Sequence, residues 1–448
     1  MAFRIRKNAP IPALSKVKDT AWPDNPDVRR WLNWAISLIG EKTWLGQKAK
    51  LKSFASSRQP ASHQARADSN FPVTPDDRAG WYLYQCELYL DSPFDFDMPQ
   101  CSRIIPVVQR LGSHLDKIVL IPGATERMRR SLVGTGIDID SILFELTVAS
   151  DYSRHGFTSV EFLSESPSIK TPDLRMLRNN REFFVECKRK RKMTEYARKE
   201  RERWWQLSVK LRKELVDNRM PMLVDIFFHI PLSGCSDDVL DRKVVPLLKV
   251  ATYGTIVEDG ELTVSLRQAR VDDLKETLRT SMVRIDGPLL YEKLYGTFER
   301  WRGYTGAGIF RPSPSKPRYI TDVTFAAGCI WSCDAPDAMR AKAQHFRRDL
   351  AEAVDQLPLG KPSAVHLGFE AYDGEGVEAI RYTRLKDEMM KGFNPGDRSL
   401  QAMYCLLFEF ESTSTENWSV NERSDFWLKD SASRNWLLSP SMLVAEEN

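Results

Sequence analysis

Thr171-Pro172-Asp173-Leu174-Arg175-Met176-Leu177-Arg178, then Asn179-Asn180, then Arg181-Glu182-Phe183-Phe184-Val185-Glu186-Cys187-Lys188 is the stretch on which the fold turns. Two half-apolar runs flank a pair of asparagines. Asparagine tolerates positive φ, so the pair predicts a two-residue hairpin loop. Cross-strand partners in such a hairpin have numbers that sum to a constant. Arg178 then faces Arg181, Leu174 faces Val185, and Asp173 faces Glu186. Directly opposed side chains lie about 4.5–5.5 Å apart at Cβ, where like charges are destabilising. A cation bridging the two carboxylates would turn that repulsion into binding. Glu186 and Lys188 are two apart and leave one face of their strand, while Val185 and Cys187 leave the other.

Two carboxylates and an ammonium on one patch suit Mg²⁺ or Mn²⁺, with water and a substrate phosphate completing the shell. Such an ion would polarise a phosphoryl oxygen and lower the pKa of a bound water. Lys188 would stabilise charge on the phosphate or position that water. The expected chemistry is phosphodiester hydrolysis. Pro172-Asp173, twelve intervening residues and Glu186-x-Lys188 together resemble the signature of the PD-(D/E)XK nuclease superfamily. The flanking order is similar too: a helix near 139–152, a strand near 158–163, the hairpin, a long helix near 194–218 and an apolar strand, 222–230.

The resemblance implies an α/β, restriction-endonuclease-like core of order αβββαβ over residues 138–232. It assigns metal ligation to Asp173 and Glu186 and the catalytic lysine to Lys188. Many members add a glutamate from the first helix, and Glu145 is the matching position, as a third ligand. Glu145 shares a helical face with Ile142, Leu146 and Ala149, where a carboxylate needs a partner or a metal. A position on the helix rim is the alternative, and Glu161 is a second candidate for that acid.

Lys188-Arg189-Lys190-Arg191-Lys192 begins on the same strand. A basic run beside a metal centre would hold a nucleic-acid backbone without reading sequence, which assigns Arg189, Lys190, Arg191 and Lys192 to phosphate contact. The charges further along, Arg198 to Arg203, are interspersed with Glu195, Glu200 and Glu202 and read equally as a solvated helix face. Trp204 falls at helical spacing with Leu207, Leu211 and Leu215, which marks it as core rather than a base-stacking platform.

The 448 residues predict two or three domains, with an ordinary globular balance of 42% hydrophobic and 28% charged residues. The net charge of +4 is too small for a global field to gather nucleic acid, so local patches must do so. Residues 1–137 read as a mostly helical accessory region with a mobile linker near 53–77. Residues 233–448 read as a second α/β domain whose strand–helix–strand order loosely echoes the core, as a degenerate duplicate would. Seven cysteines without regular spacing argue against a disulfide framework or zinc site. There is no Gly-x-x-x-x-Gly-Lys-Ser/Thr loop and no Gly-x-Ser-x-Gly elbow, which leaves ATP-driven translocation and serine hydrolysis without an anchor. No apolar run is long enough to span a bilayer, so a cytoplasmic protein without membrane contact is expected.

The function expected is a Mg²⁺-dependent endonuclease acting on DNA, in restriction or anti-phage defence by resemblance. Symmetric duplex cleavage would call for a homodimer, and a separate helicase or sensor partner is a further expectation. RNA or branched DNA as substrate, or a catalytically inactive nucleic-acid-binding scaffold, are the alternatives.

Overall fold

A computed structural model describes residues 6–7, 24–57, 76–134, 137–164, 170–190, 194–250, 252–285, 287–343, 346–391, 393–412, 418–429 and 442–443. In chain order the strands are β1 (Arg6–Lys7), β2 (Ser159–Phe162), β3 (Leu174–Arg178), β4 (Arg181–Lys190), β5 (Met222–Phe228), β6 (Gly254–Glu258), β7 (Leu262–Gln268), β8 (Val283–Arg284), β9 (Gly303–Pro312), β10 (Tyr319–Cys333), β11 (Pro362–Glu370), β12 (Ser399–Ser412) and β13 (Trp418–Leu428). They build two sheets, ordered β1-β13-β12-β11-β4-β3-β2 and β6-β7-β5-β10-β8, with β9 paired to β10.

The asparagine turn forms as expected. Asn179 and Asn180 have φ of 50° and 59°, the two positive values that a type I′ loop requires. Its twist matches that of the flanking strands, and the register runs from Arg178↔Arg181 to Leu174↔Val185. Beyond β4 the first sheet turns parallel: β4 pairs with β11, and β11 with β12. β11 is buried along nearly its whole length, which is why it reads as the continuous apolar run Ala364–Phe369 rather than an alternation.

Helices precede this sheet: α1 (Pro26–Ile39), α2 (Glu41–Ser57), α3 (Arg78–Asp91), α4 (Met98–Ser113), α5 (Leu115–Ile118), α6 (Ala124–Val133) and α7 (Ile139–Arg154). α7 packs on β4, with α6 against it and α4 beside it, the latter lying on β12 and β13 as well. The burial of α7 on nearly all sides follows from this sandwiching. Trp31, Leu83, Ile105, Leu146 and Val185 belong to one continuous core, so the described helices within 1–137 are part of the first sheet's unit rather than an accessory. Of the expected 53–77 linker, 53–57 belong to α2, and 58–75 lie outside the described residues.

The expected helix at 194–218 is two, α8 (Glu195–Leu207) and α9 (Val209–Asp217). Thr194 caps α8 by accepting a hydrogen bond from the Ala197 N–H at 3.1 Å. Neither these helices nor β5 completes the first sheet. Trp204, Leu211 and Leu215 pack instead on Val224 and Ile226 of β5 and Cys329 of β10, in the second sheet. The remaining helices are α10 (Val239–Lys243), α11 (Val271–Thr280), α12 (Pro288–Tyr295), α13 (Pro336–Lys342), α14 (Phe346–Asp355) and α15 (Glu375–Lys391). Leu350 and Val354 of α14 and Leu385 of α15 cover Val365, Leu367 and Met403 on the face of the first sheet away from α7.

The boundary at 232/233 therefore does not hold. The chain leaves the first sheet after β4, builds the second sheet, and returns through α14 and β11. The C-terminal strands complete the first sheet instead of forming a duplicate of it. Among the described residues, no helix is long and apolar enough to cross a membrane.

Candidate functional site

The β3–β4 ladder closes at Leu174↔Val185, so Asp173 stands one residue beyond the last paired position. Its backbone carbonyl accepts from the Leu163 N–H at 2.9 Å. Its side chain takes over where the ladder stops: Oδ2 accepts from the Cys187 N–H at 2.8 Å. The aspartate is thereby fastened to the β4 backbone between Glu186 and Lys188. The expected Asp173–Glu186 pair is thus not part of the ladder; Asp173 reaches β4 through its side chain on the strand backbone instead.

Glu186 is 1% exposed. One carboxylate oxygen pairs with Lys188 Nζ at 2.6 Å; the other, Oε2, is buried without a hydrogen-bond partner. Burial pushes the Glu186 pKa well above the usual carboxylate range, and the nearby negative charge of Asp173 pushes the same way. Lys188 opposes the shift without cancelling it, and Glu145 adds to it. For Lys188, burial favours the neutral amine, but the Glu186 charge outweighs burial and raises its pKa. Lys188 therefore stays an ammonium, fitted to be a cationic donor rather than a base.

Glu145 projects from α7 and is buried, not on the rim. It meets a residue absent from the sequence-level assignment, Arg127 of α6. The Arg127 Nη1 donates to Glu145 Oε2 and, at 2.9 Å, to Asp173 Oδ1. Nη2 donates to the Leu163 carbonyl at 3.2 Å, and the guanidinium lies 4.9 Å from the Phe162 ring centroid. Burial alone would lower the Arg127 pKa; Glu145 and then Asp173 overcome it and raise the value. A signal for Arg127 exists in the sequence, because it shares the buried α6 face with Ala124, Met128 and Ser131. An arginine on such a stripe needs acids opposite it.

Three carboxylates and two cations thus converge where α6, α7, the start of β3 and the middle of β4 meet. Glu161 is not among them; it pairs across the β2–β3 ladder with Arg175. Among the described residues no three His, Cys, Asp or Glu side chains form a ready-made metal cage. The unmet Glu186 Oε2 and the hard oxygen donors nonetheless fit Mg²⁺ or Mn²⁺.

The basic run needs correction. Arg189 is internal: it donates to Glu370 Oε1 at 2.6 Å and lies 4.7 Å from the Phe408 ring centroid. It points inward because a neighbouring position on β4 must alternate away from Lys188. Lys190 is half-exposed and ion-paired with Asp349 of α14 at 2.6 Å. Arg191 and Lys192 lie outside the described residues. Further along, Arg198 pairs with Glu195 and Glu202, and Arg203 with Asp237, so that helix face is largely self-neutralised. Trp204 is core, its indole N–H donating to Thr305 Oγ1 at 3.1 Å.

A second charged cluster backs the site from the far end of β11. Glu370 accepts from Arg103 through two bonds, 2.8 and 2.9 Å, and also from Arg189 and the Tyr372 hydroxyl. Burial would raise its pKa, but Arg103 and Arg189 outweigh burial and hold it at about 2. Comparison with known proteins found no match, whether to a family model, to a curated protein or to a solved structure.

Proposed function

We propose that the Asp173–Glu186–Lys188 cluster is the centre of a Mg²⁺- or Mn²⁺-dependent nuclease that hydrolyses phosphodiester bonds, with DNA as the first substrate to test. One observation carries the reading: the Asp173 carboxylate bonds to the β4 backbone at Cys187, between a buried glutamate with an unmet oxygen and an ammonium fixed 2.6 Å from that glutamate. The topology supports it in corrected form. Helix α7, the meander β2–β3–β4, helix α14 and parallel strand β11 follow the αβββαβ order of PD-(D/E)XK nucleases, with roughly a third of the chain intervening between β4 and α14.

Asp173 and Glu186 would supply oxygen ligands, with Glu145 behind them. The ion, when bound, supplies Lewis acidity toward a phosphoryl oxygen and an acidified water. Lys188, kept charged by Glu186, donates to a phosphate oxygen and stabilises the charge that builds there. Phosphate contact outside the centre falls to Arg191 and Lys192, since Arg189 pairs with Glu370 and Lys190 with Asp349. Arg127 must release Asp173 or Glu145 before either can ligate. That same bridge favours a second reading, a nucleic-acid-binding protein in which the guanidinium has replaced the metal for good.

Wild type, Asp173→Ala and Lys188→Ala on supercoiled and linear DNA and on RNA, with and without Mn²⁺, separate the two. Metal-dependent cutting by wild type alone supports the nuclease, and the substrate panel ranks DNA against RNA. Nucleic acid bound but uncut by all three supports the second reading. Equal cutting by all three rejects the centre. Duplex cleavage on both strands would bring a homodimer with it.

A further inference from the structure

A cleft of about 690 Å³ separates the two sheets. Ser332 and Asp334 reach it from the end of β10, beside Phe227 of β5, and these two strands run parallel. Ala371 and Tyr372 reach it from just past β11, which runs parallel to β12. The cleft thus lies outside the carboxyl ends of parallel strand pairs from both sheets, the usual location of ligands in open α/β sheets. Its volume is within the range of small-molecule sites.

Charge decides what can enter. Seven lining side chains are carboxylates and three are cations. Several are spoken for: Lys342 pairs with Glu200 at 2.6 Å, Arg302 with Glu299 at 3.6 Å, His229 with Asp334 at 2.9 Å, and Arg381, behind the wall, with Asp373 and Glu378, which leaves Glu375 and Glu409. An excess of negative charge still remains in a chain whose overall charge is +4, so it is local to the cleft. Such a lining opposes a phosphate backbone and favours a cation.

The walls suit an organic cation in particular. Trp301 is 40% exposed, and the aromatic faces nearby already attract guanidinium groups. Arg300 lies 5.0 Å from the Tyr372 ring centroid and Arg302 lies 4.3 Å from that of Phe227. Hydrogen-bonding capacity is also unmet here. Glu200, 6% exposed, has a buried Oε1 without a partner; Glu378 Oε2, the Ser332 hydroxyl and Arg300 Nη1 are likewise unpartnered. Two carboxylate oxygens in need of donors, beside one donor in need of an acceptor, describe the complement of the missing group.

From these observations we infer that the inter-sheet cleft is a binding site for a small amine- or guanidinium-bearing cation. The inference does not depend on the phosphodiesterase reading. The test uses the full chain carrying Asp173→Ala, so that loss of the other centre cannot affect the result. Spermidine, agmatine and L-arginine are titrated by calorimetry and by tryptophan fluorescence, with ATP and inorganic phosphate as anionic counterparts. The expected result is saturable binding of at least one amine with altered fluorescence, and none of either anion. Tighter binding of L-arginine than of agmatine would assign the Arg300 donor to a ligand carboxylate. Trp301→Ala and Glu375→Gln, at exposed positions that leave the core intact, should each weaken binding about tenfold. No amine binding at 10 mM (roughly 100-fold above a 0.1 mM site), equal affinity in the variants, or binding of the anions instead would overturn the inference.

Discussion

Arg127→Leu is the most informative perturbation, because leucine keeps an apolar contact with Phe162 while removing the charge that joins two carboxylates, together with one hydrogen bond to the Leu163 carbonyl. The Glu145 and Asp173 side chains are 9% and 13% exposed. Without the guanidinium they become adjacent buried acids, and breaking a buried pair in this way costs about 3–5 kcal/mol. For a cooperative unit of a few hundred residues that lowers the unfolding midpoint by about 6–20 °C. If the acids form a metal site, Mn²⁺ should replace the missing cation. A hundredfold excess over Kd restores about 2.7 kcal/mol, most of the loss. Wild type should gain less from the same Mn²⁺, since its own guanidinium must be displaced first. Thermal unfolding followed by circular dichroism, in EDTA and in Mn²⁺, reads all four states. Adding Asp173→Asn to Arg127→Leu should recover stability in EDTA and abolish the Mn²⁺ response. An equal Mn²⁺ shift in wild type and variant would refute the competition, and an unchanged midpoint in EDTA would refute the bridge itself.

Glu186 holds its proton more tightly folded than unfolded, so its contribution is most favourable in acid and declines as pH rises from the unfolded value toward the folded one. Glu186→Gln should therefore exceed wild type in urea resistance at pH 7.5 and match it below about pH 4; a loss at pH 7.5 would mean that the Lys188 pair dominates instead. Glu370 behaves oppositely: its pKa of about 2 means that stability is fully present above about pH 4.3 and is lost as pH falls toward 2. Glu370→Gln should cost about 3–5 kcal/mol at pH 7, with the deficit shrinking in urea titrations below pH 4. In the hairpin, Asn179→Val forces a β-branched residue to a φ of 50° and should cost about 1–2 kcal/mol, whereas Asn180→Gly should be nearly neutral. Equal urea midpoints for the two would argue against the type I′ turn.

The hairpin was legible because its determinants are local: two asparagines fix the turn, the turn fixes the register, and the register places Asp173 beside β4. Helix α7 was legible for the same reason. The second half of the sheet was not. Met222–Phe228 and Pro362–Glu370 are both short apolar runs, and periodicity says only that each is buried, not against which strand. Proximity in sequence favours the first, and it is the second that pairs with β4. Arg127 was hidden differently. One of three arginines on α6, it looks like surface beside Arg129 and Arg130, and only its position on the stripe of Ala124, Met128 and Ser131 sets it apart.

Lys190 ties the basic run to the long path between β4 and β11. A basic run reads as phosphate contact, yet Lys190 is the last residue of β4, at the point where the chain departs to build the second sheet. Its partner Asp349 lies on α14, where the chain has just returned, and is almost wholly buried. The 2.6 Å ion pair thus holds together the exit and the return of a long excursion. A long excursion is thermodynamically tolerable when its ends are close, because closure entropy grows only slowly with the length between them. Parallel pairing of β4 with β11 fixes the same two points through the backbone. The strand that carries Glu186 and Lys188 is therefore also the strand from which the chain departs to build the second sheet and beside which it returns.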